Sequence, residues 1–509
     1  MKNIHVLLFA ITFSLASCAS LDEDPKSFIS PSQFYNTAGD AVAAVNAIYY
    51  HLNQNDTSAQ PIYNPLYYTG LDFMSDDLSP GPGATNPDAR SLAALAHSSS
   101  LIRGVESWQQ HYAAINMANA AIERIPGIEM DEKLKSRLLG EAKFLRALYY
   151  FNLVRQFGDV PLVLTDQTQL PIDQLQVPRN PAAEVYAQII TDLKESVDLF
   201  KNGSAPEVGR ATEGASKSLL SKVYLTKRDW ANAVATAEEV INGPYGYTLL
   251  SDYSQVFLPA YKNSSEHIFS VQFNSAANLT NGLTGRAILT GIPGLKGNYA
   301  DMVPYYTKGT DKYFSIYKLY APKDKRRNVS FVTKFKSPTN GKWYSKLYDA
   351  KVPGDSIPFF NKYWDPNYAS TGKSEANTNI IRFAEVLLIH SEAENELNGP
   401  TAKAYASLNR IRKRAGLDDL TPGLTKDQFR EAVYLDRRLE LVGEYQRVFD
   451  LIRQTGSEVT GVGPEGRGTL LKNLQAVGKT NVAPKHYLFP IPQIEIERNK
   501  KLTQNPGWE

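Results

Sequence analysis

The sequence predicts a mainly α protein, a tetratricopeptide-like helical scaffold carrying a loop-rich inserted lobe. Three observations lead there. Apolar residues recur at three- and four-residue spacing over about 38–54, 101–157, 180–201, 213–242, 378–415 and 425–454, the period of helices with one buried face. Within them, Ser216 to Tyr245 has the form of a tetratricopeptide helix–turn–helix unit, with Leu220, Ser221 and Tyr224 on the first helix and the small residues Ala233 and Ala237 on the second. Between them, 55–100 and 243–377 hold most of the turn formers and many of the 29 tyrosines.

In chain order, the first element is a secretory signal. Lys2 precedes an apolar run from Ile4 to Ala16, which ends at Leu15-Ala16-Ser17-Cys18 and gives way to the polar Ser20-Leu21-Asp22-Glu23-Asp24. The run falls short of the about 20 apolar residues that a spanning helix needs, so residues 1–17 read as a cleaved segment. Cys18 is the single cysteine, which excludes a disulfide within the chain and a thiolate metal cluster. Leu-Ala-Ser-Cys resembles the lipobox of bacterial lipoproteins, and that resemblance implies lipid attachment at Cys18. Asp22-Glu23-Asp24 resembles the signal that sends some lipoproteins to the cell exterior. Residues 18–37 are then an acylated tether. Several acyl chains anchor firmly, because each buried methylene contributes about 0.8 kcal/mol.

The remaining chain, about 490 residues, exceeds one ordinary core, so two domains or one extended scaffold with insertions would fit. Further repeat-like stretches favour the scaffold: a poorer copy from Glu385 through Ala393 to Ala404, and Glu141 to Phe157 as a first helix whose partner lies beyond an insertion. The expected domain is 38–509, with scaffold at about 38–54, 101–242 and 378–454, insertions at about 55–100 and 243–377, and a tail at 455–509. A formal charge of +2 with dispersed basic residues argues against nucleic acid.

Several motifs resolve to bland readings. Gly461-Val462-Gly463-Pro464-Glu465-Gly466 matches a dinucleotide fingerprint but comes after a helix instead of a strand. Gly478-Lys479-Thr480 has Asn473 where a phosphate loop needs its first glycine. His390-Ser391-Glu392 lacks the cysteines of a zinc deaminase. Glu385, Glu392 and Glu396 read as structural hydrogen-bonding groups, and Arg437, Glu440, Glu444, Arg447 and Asp450, three or four residues apart, as a packing network along one helix. The run Arg410 to Arg414 reads as a solvated helical face and Lys323 to Arg327 as a charged turn. No metal or cofactor is expected.

Four stretches, in this order, resemble the SusD/RagB family of nutrient-binding lipoproteins. They are Glu141-Ala142-Lys143-Phe144-Leu145-Arg146-Ala147 with Phe157-Gly158-Asp159-Val160-Pro161-Leu162; Ile381 to Leu388 with Glu392 to Glu396 and Leu408 to Leu417; Arg437 to Leu441 with Glu444, Arg447 and Phe449-Asp450-Leu451; and Tyr487 to Pro492 with Leu502 to Trp508. Asp436 stands where the family usually has Glu, Tyr445 where it usually has Gly, and Ser391 where Ala is common. The resemblance implies a tetratricopeptide-like scaffold, a loop-rich extracellular face that binds glycan without catalysis, and a TonB-dependent (SusC-like) outer-membrane channel on which the protein sits as a lid.

The contacting residues have to be read from the loops. Trp108, Tyr112, Tyr149, Tyr150 and Tyr224 fall at helical spacing and are expected in the core. Tyr67, Tyr68, Tyr305, Tyr306, Trp343 and Tyr344 lie in turn-rich sequence with no apolar period, where function is commonly placed. A sugar presents apolar C–H faces and a hydroxyl rim, so it asks for aromatic planes flanked by acceptors, for which Asp76 and Asp77 are the candidates. Two rival readings are a scaffold that binds protein or peptide in its groove and a surface glycosidase. The second needs paired carboxylates about 5 to 9.5 Å apart, which no motif here ties together.

Overall fold

The computed structural model describes residues 34–53, 62–63, 71–80, 86–168, 170–274, 302–304, 316–336, 341, 343–344, 358–365, 374–454 and 468–509. Its longer helices are α1 (Ala38–Asn53), α2 (Ile102–Arg124), α3 (Glu132–Phe157), α4 (Ala182–Asn202), α5 (Glu213–Lys227), α6 (Trp230–Ile241), α7 (Phe383–Asn398), α8 (Ala402–Arg414) and α9 (Lys426–Leu441). Short polar side chains start most of them. Asp131, Thr212, Asp229 and Thr401 each accept a hydrogen bond from a first-turn amide, satisfying a donor that the helix itself leaves unpaired. At α9 the pairing is reciprocal: Gln428 N donates to Thr425 Oγ1 at 3.2 Å, and Thr425 N to Gln428 Oε1 at 2.9 Å.

The helices stack in series. α1 and α2 pack on each other and both on α3, α3 packs on α4, α4 on α5, α5 on α6, and α6 on α7, which also carries α8 and α9. The expected helix–turn–helix unit is α5–α6 and its poorer copy α7–α8. α3 finds its partner in α4 beyond 158–181. Small side chains permit the close approach: Ala215, Ala233, Ala237, Ala384 and Ala393 are fully buried, and Ser196 and Ser216 share a hydrogen bond at 2.9 Å between α4 and α5.

Two boundaries differ from the expectation. The stretch 101–157 is broken by a 3₁₀ turn at Ile125–Gly127, where Pro126 cannot donate to the helix ladder. The stretch 378–415 opens with a strand, Thr378–Arg382, in which all five residues are buried. A short buried strand and a buried helical turn look alike by periodicity, and the deciding partner lies more than 100 residues earlier. In chain order the strands are β1 (Leu78–Pro80), β2 (His267–Val271), β3 (Met302–Pro304), β4 (Phe331–Val332), β5 (Phe335–Lys336), β6 (Trp343–Tyr344), β7 (Phe359–Phe360) and β8 (Thr378–Arg382). All pair as antiparallel couples, β1 with β3, β2 with β8, β4 with β7 and β5 with β6.

The tail folds back onto the scaffold. Asn505 Nδ2 donates to Phe157 O at 2.9 Å and to Phe489 O at 2.7 Å, Phe489 N donates to Gln156 O at 2.7 Å, and Arg179 donates to Asp159 O at 2.7 Å and Thr503 O at 3.0 Å. The Phe157-Gly158-Asp159 turn and the Asn505-Pro506-Gly507-Trp508 tail, far apart in sequence, are therefore one structural joint.

The seam between inserted lobe and scaffold is ionic. Arg326, Lys362, Arg382, Arg412 and Arg414 form a connected network with Glu266, Asp324, Asp436, Glu440 and Glu444, five cations against five anions, and all but Arg412 are buried. Arg382 Nη1 reaches Glu440 at 2.6 Å and Glu266 at 2.9 Å, and Lys362 Nζ reaches Glu444 at 2.6 Å. Burial by itself would raise the Glu440 carboxyl, but Arg414, Arg382 and Arg326 outweigh it and hold it well below the usual carboxylate range. This corrects two expectations. Arg414, in the supposedly solvated run, is 7% exposed, and Arg326, in the supposed charged turn, is 0% exposed. Each is buried because a carboxylate from a distant segment meets it.

The second network also differs in form from the expectation. Gly443 and Tyr445, both at positive φ, break the chain between α9 and the helix Arg447–Arg453, so the pairs run between helices and not along one. Arg437 binds Asp450 at 2.8 Å and Glu385 at 3.1 Å, Lys222 binds Glu385 at 3.0 Å, and Arg453 binds Glu392 at 2.5 Å. Glu396 pairs with Arg430. All three glutamates of α7 thus have structural partners. His390 does too, with Nδ1 at 2.8 Å from Ser407 Oγ.

Candidate functional site

The residues put forward from the sequence fall in three groups. Trp108, Tyr149, Tyr150 and Tyr224 are buried as expected, and Tyr112 packs against the same core with its hydroxyl on Pro161 O at 2.9 Å. Cys18, Tyr67, Tyr68, Tyr305 and Tyr306 lie outside the described residues. Asp76, Asp77, Trp343 and the backbone of Tyr344 are described.

Asp76 and Asp77 are not displayed to solvent. They are 1% and 2% exposed and tie their segment to the scaffold. Arg447 grips Asp76 with both forks, Nε on Oδ1 at 2.7 Å and Nη2 on Oδ2 at 2.8 Å, while Arg438 Nε donates to Asp77 Oδ1 at 2.5 Å. Burial pushes the Asp76 carboxyl up, but the Arg438 and Arg447 guanidiniums more than reverse this and hold it well below its usual range. Asp77 moves the other way, raised by burial, with Asp76 beside it adding to the shift. The reading of these two aspartates as exposed acceptors for a sugar is thereby corrected. Nothing in their local sequence signals their partners, which lie more than 350 residues along the chain.

The anchored aspartates position the strand beside them. Leu78, immediately after Asp77, opens β1, which pairs with β3 in the register Leu78↔Pro304, Ser79↔Val303 and Pro80↔Met302. One strand belongs to the 55–100 insertion and the other to 243–377, so this ladder joins the two loop-rich stretches at a common point. In chain order Pro304 leads directly to Tyr305 and Tyr306. Trp343 sits on the β5–β6 hairpin opposite Lys336 and is 67% exposed, an unusual amount for an indole.

Among the described residues, no group of three or more His, Cys, Asp and Glu is placed to hold a metal ion. No helix there is long and apolar enough to cross a membrane.

A serial stack of helix pairs carrying a lobe built from two joined insertions defines a tetratricopeptide-like protein with a loop-based face. Residues 245–508 match the profile described as "SusD family", which covers more than half of the chain, so the protein belongs to that family. Residues 94–225 match a second profile, "Starch-binding associating with outer membrane". Among similar proteins, SusD-like protein P2 of Formosa agariphila is 27% identical over the whole length of both chains. A SusD superfamily protein from Parabacteroides distasonis, of known structure, is 27% identical with a TM-score of 0.75, covering 92% of this chain and 99% of that one. A structure described as "Laminarin binding SusD-like protein" is 26% identical with a TM-score of 0.74, covering 93% of this chain and 100% of the other.

Proposed function

We propose that the protein is a cell-surface glycan-binding lipoprotein, lipid-anchored through Cys18 in the outer membrane and facing outward, which captures oligosaccharide and delivers it to a TonB-dependent channel without chemical change. The observation that carries this reading is the β1–β3 ladder. It brings the two tyrosine-rich insertions to one place on the scaffold, and Trp343, in the second of them, stands out into solvent. A similar protein of the same fold is described as laminarin-binding, which supports a saccharide as the ligand class.

Tyr67, Tyr68, Tyr305, Tyr306, Trp343 and Tyr344 are the proposed contacts. An aromatic plane against the C–H face of a pyranose contributes on the order of 1 kcal/mol, so each substitution weakens binding roughly five- to tenfold. Affinity stays modest, because ordering a flexible chain offsets part of the gain, and modest affinity suits a protein that must release its cargo. The test is alanine substitution at Tyr67, Tyr68, Tyr305, Tyr306 and Trp343, singly and together. Circular dichroism checks folding and calorimetry measures binding of glycans selected from an immobilised panel. Parent-like binding by the fivefold variant refutes the placement, and glycan hydrolysis by the purified protein refutes the non-catalytic reading.

A further inference from the structure

A second place with the chemistry of a saccharide site lies on the scaffold, at the C-terminal end of α1. Asn46, Tyr49, Tyr50 and Asn53 are spaced by three and four residues and share one helical face. The opposite wall is the turn Val208–Arg210 with the end of β2, Ser270–Gln272, and between them is a cleft of about 310 Å³. That volume falls in the usual range for small-ligand sites, about 300–1,000 Å³. Two apolar surfaces flank the cleft, since Tyr50 is 45% exposed and Val208 83%.

The polar groups are held in fixed orientation. Arg210 donates to Asn46 Oδ1 and to Glu141 at 2.8 Å and forms an ion pair with Glu207 at 2.6 Å, so the Asn46 amide plane is set. Asn53 Nδ2 donates to Gln272 O at 2.6 Å. Gln272 is itself locked, its Oε1 accepting from Asn263 at 2.8 Å and from Asn377 at 3.0 Å. Among the described residues nothing pairs with the other halves of these amides, Asn46 Nδ2 and Asn53 Oδ1, or with the Tyr50 hydroxyl. One donor, one acceptor and a phenol, placed along two turns of helix beside an exposed ring, match the hydroxyl rim and the C–H face of a sugar. Asn46 and Asn53 are seven residues apart, about 10 Å along the axis, which suits two linked rings better than one. Arg137 and Arg210 together balance Glu141 and Glu207, so the cleft offers no net charge and selects a neutral ligand.

We propose that this cleft is a second saccharide-binding site, distinct from the loop aromatics, which takes one or two neutral pyranose rings through Tyr50, Asn46 and Asn53. The inference rests on the glycan-binding reading of the protein. A second contact on the scaffold would hold one end of an oligosaccharide while the loops hold another, and linking two weak contacts raises overall avidity.

The test uses the full chain with laminarihexaose, maltohexaose, xylohexaose and mannohexaose, each also as a diazirine-tagged photoprobe. Two variants are compared with the parent: Tyr50→Ala with Val208→Asp, both at exposed positions, and the fivefold aromatic variant of the loops. The expected result is photolabelling of the peptide containing 38–53 in the parent and in the loop variant, its loss in the Tyr50/Val208 variant, and at least fivefold weaker binding of the hexasaccharide by that variant. A glycan that binds the parent without labelling 38–53, or with parent-like affinity in the Tyr50/Val208 variant, overturns this inference and leaves the loop site standing. If none of the four hexasaccharides binds the parent or labels it, both readings fall.

Discussion

Glu440 is the most heavily used carboxylate of the seam, and its replacement by Gln tests whether the buried network is structural. Glu440 is 0% exposed and accepts from Arg382, Arg414 and Arg326. Glutamine keeps the shape but removes one of the five negative charges, leaving a cation in excess in a region from which water is excluded. Breaking a buried pair from one side costs about 3–5 kcal/mol, chiefly because the remaining charges stay desolvated without compensation. Against a total stability of about 5–15 kcal/mol that is a large fraction. The internal control is Lys323→Ala, whose pair with Asp418 is 55% and 87% exposed and is therefore screened by solvent and contributes little. The assay is urea unfolding of both variants, monitored by fluorescence, with calorimetric glycan titration of the folded proteins. Glu440→Gln is expected to lower the midpoint strongly while glycan affinity changes little. A midpoint equal to that of the control would show that the network contributes nothing. A tenfold loss of affinity, about 1.4 kcal/mol, with an unchanged midpoint would place Glu440 in the ligand site and refute the reasoning.

Three further outcomes are expected. The melting temperature should fall on acidification below about pH 4.5: Glu440, whose ordinary value is 4.5, and Asp76, whose ordinary value is 3.8, are both depressed in the folded chain, so the unfolded chain binds more protons in that window and the stability present above it is lost, a dependence read by calorimetry from pH 7 to 3. Gly443→Ala should destabilise by at least about 1–2 kcal/mol, because Gly443 has φ +71° and a Cβ there would overlap the Phe360 ring; parent-like denaturation would sink the argument. Cys18→Ala should leave the protein soluble or mislocalised, since on this reading the lipid is the anchor, and unchanged membrane retention in cell fractionation would refute it.

Most of the scaffold was legible because helices advertise themselves locally. The apolar period placed α1 to α9 within six stretches whose outer ends agree to about five residues, while running α2 into α3 and α9 into the helix Arg447–Arg453, and the small residues of α5 and α6 identified the repeat. The illegible features depended on partners remote in sequence. Arg326, Arg414, Asp76 and Asp77 carry the same local signal as solvated charges, and only tertiary pairing makes them buried. The strand Thr378–Arg382 was hidden for the same reason, since its pairing with β2 cannot be read from five apolar-rich residues. Tyr445 shows the reverse. The SusD/RagB resemblance marked it as a departure from the usual Gly, and the structure supplies the physical meaning, φ +65°, a left-handed backbone in which a side chain is strained and Gly is not. Among the aromatics, the exposure of Trp343 was recognisable from its turn-rich context, whereas that of Tyr50 was missed because it sits within a helix with an ordinary apolar face.

The β1–β3 ladder sets a rule for recombination. Because Leu78–Pro80 and Met302–Pro304 complete one another, a segment transplanted from a relative at one insertion alone brings a strand whose mate stays behind, with backbone donors and acceptors left to find new geometry. Asp76 and Asp77 add a second condition, since the imported segment must also fit the host's Arg438 and Arg447. The smallest exchangeable unit is therefore a matched set, both insertions and their arginine clasp; chimeras that exchange the set together are the ones expected to fold and, on the proposed placement of the glycan site, to carry the donor's specificity with them.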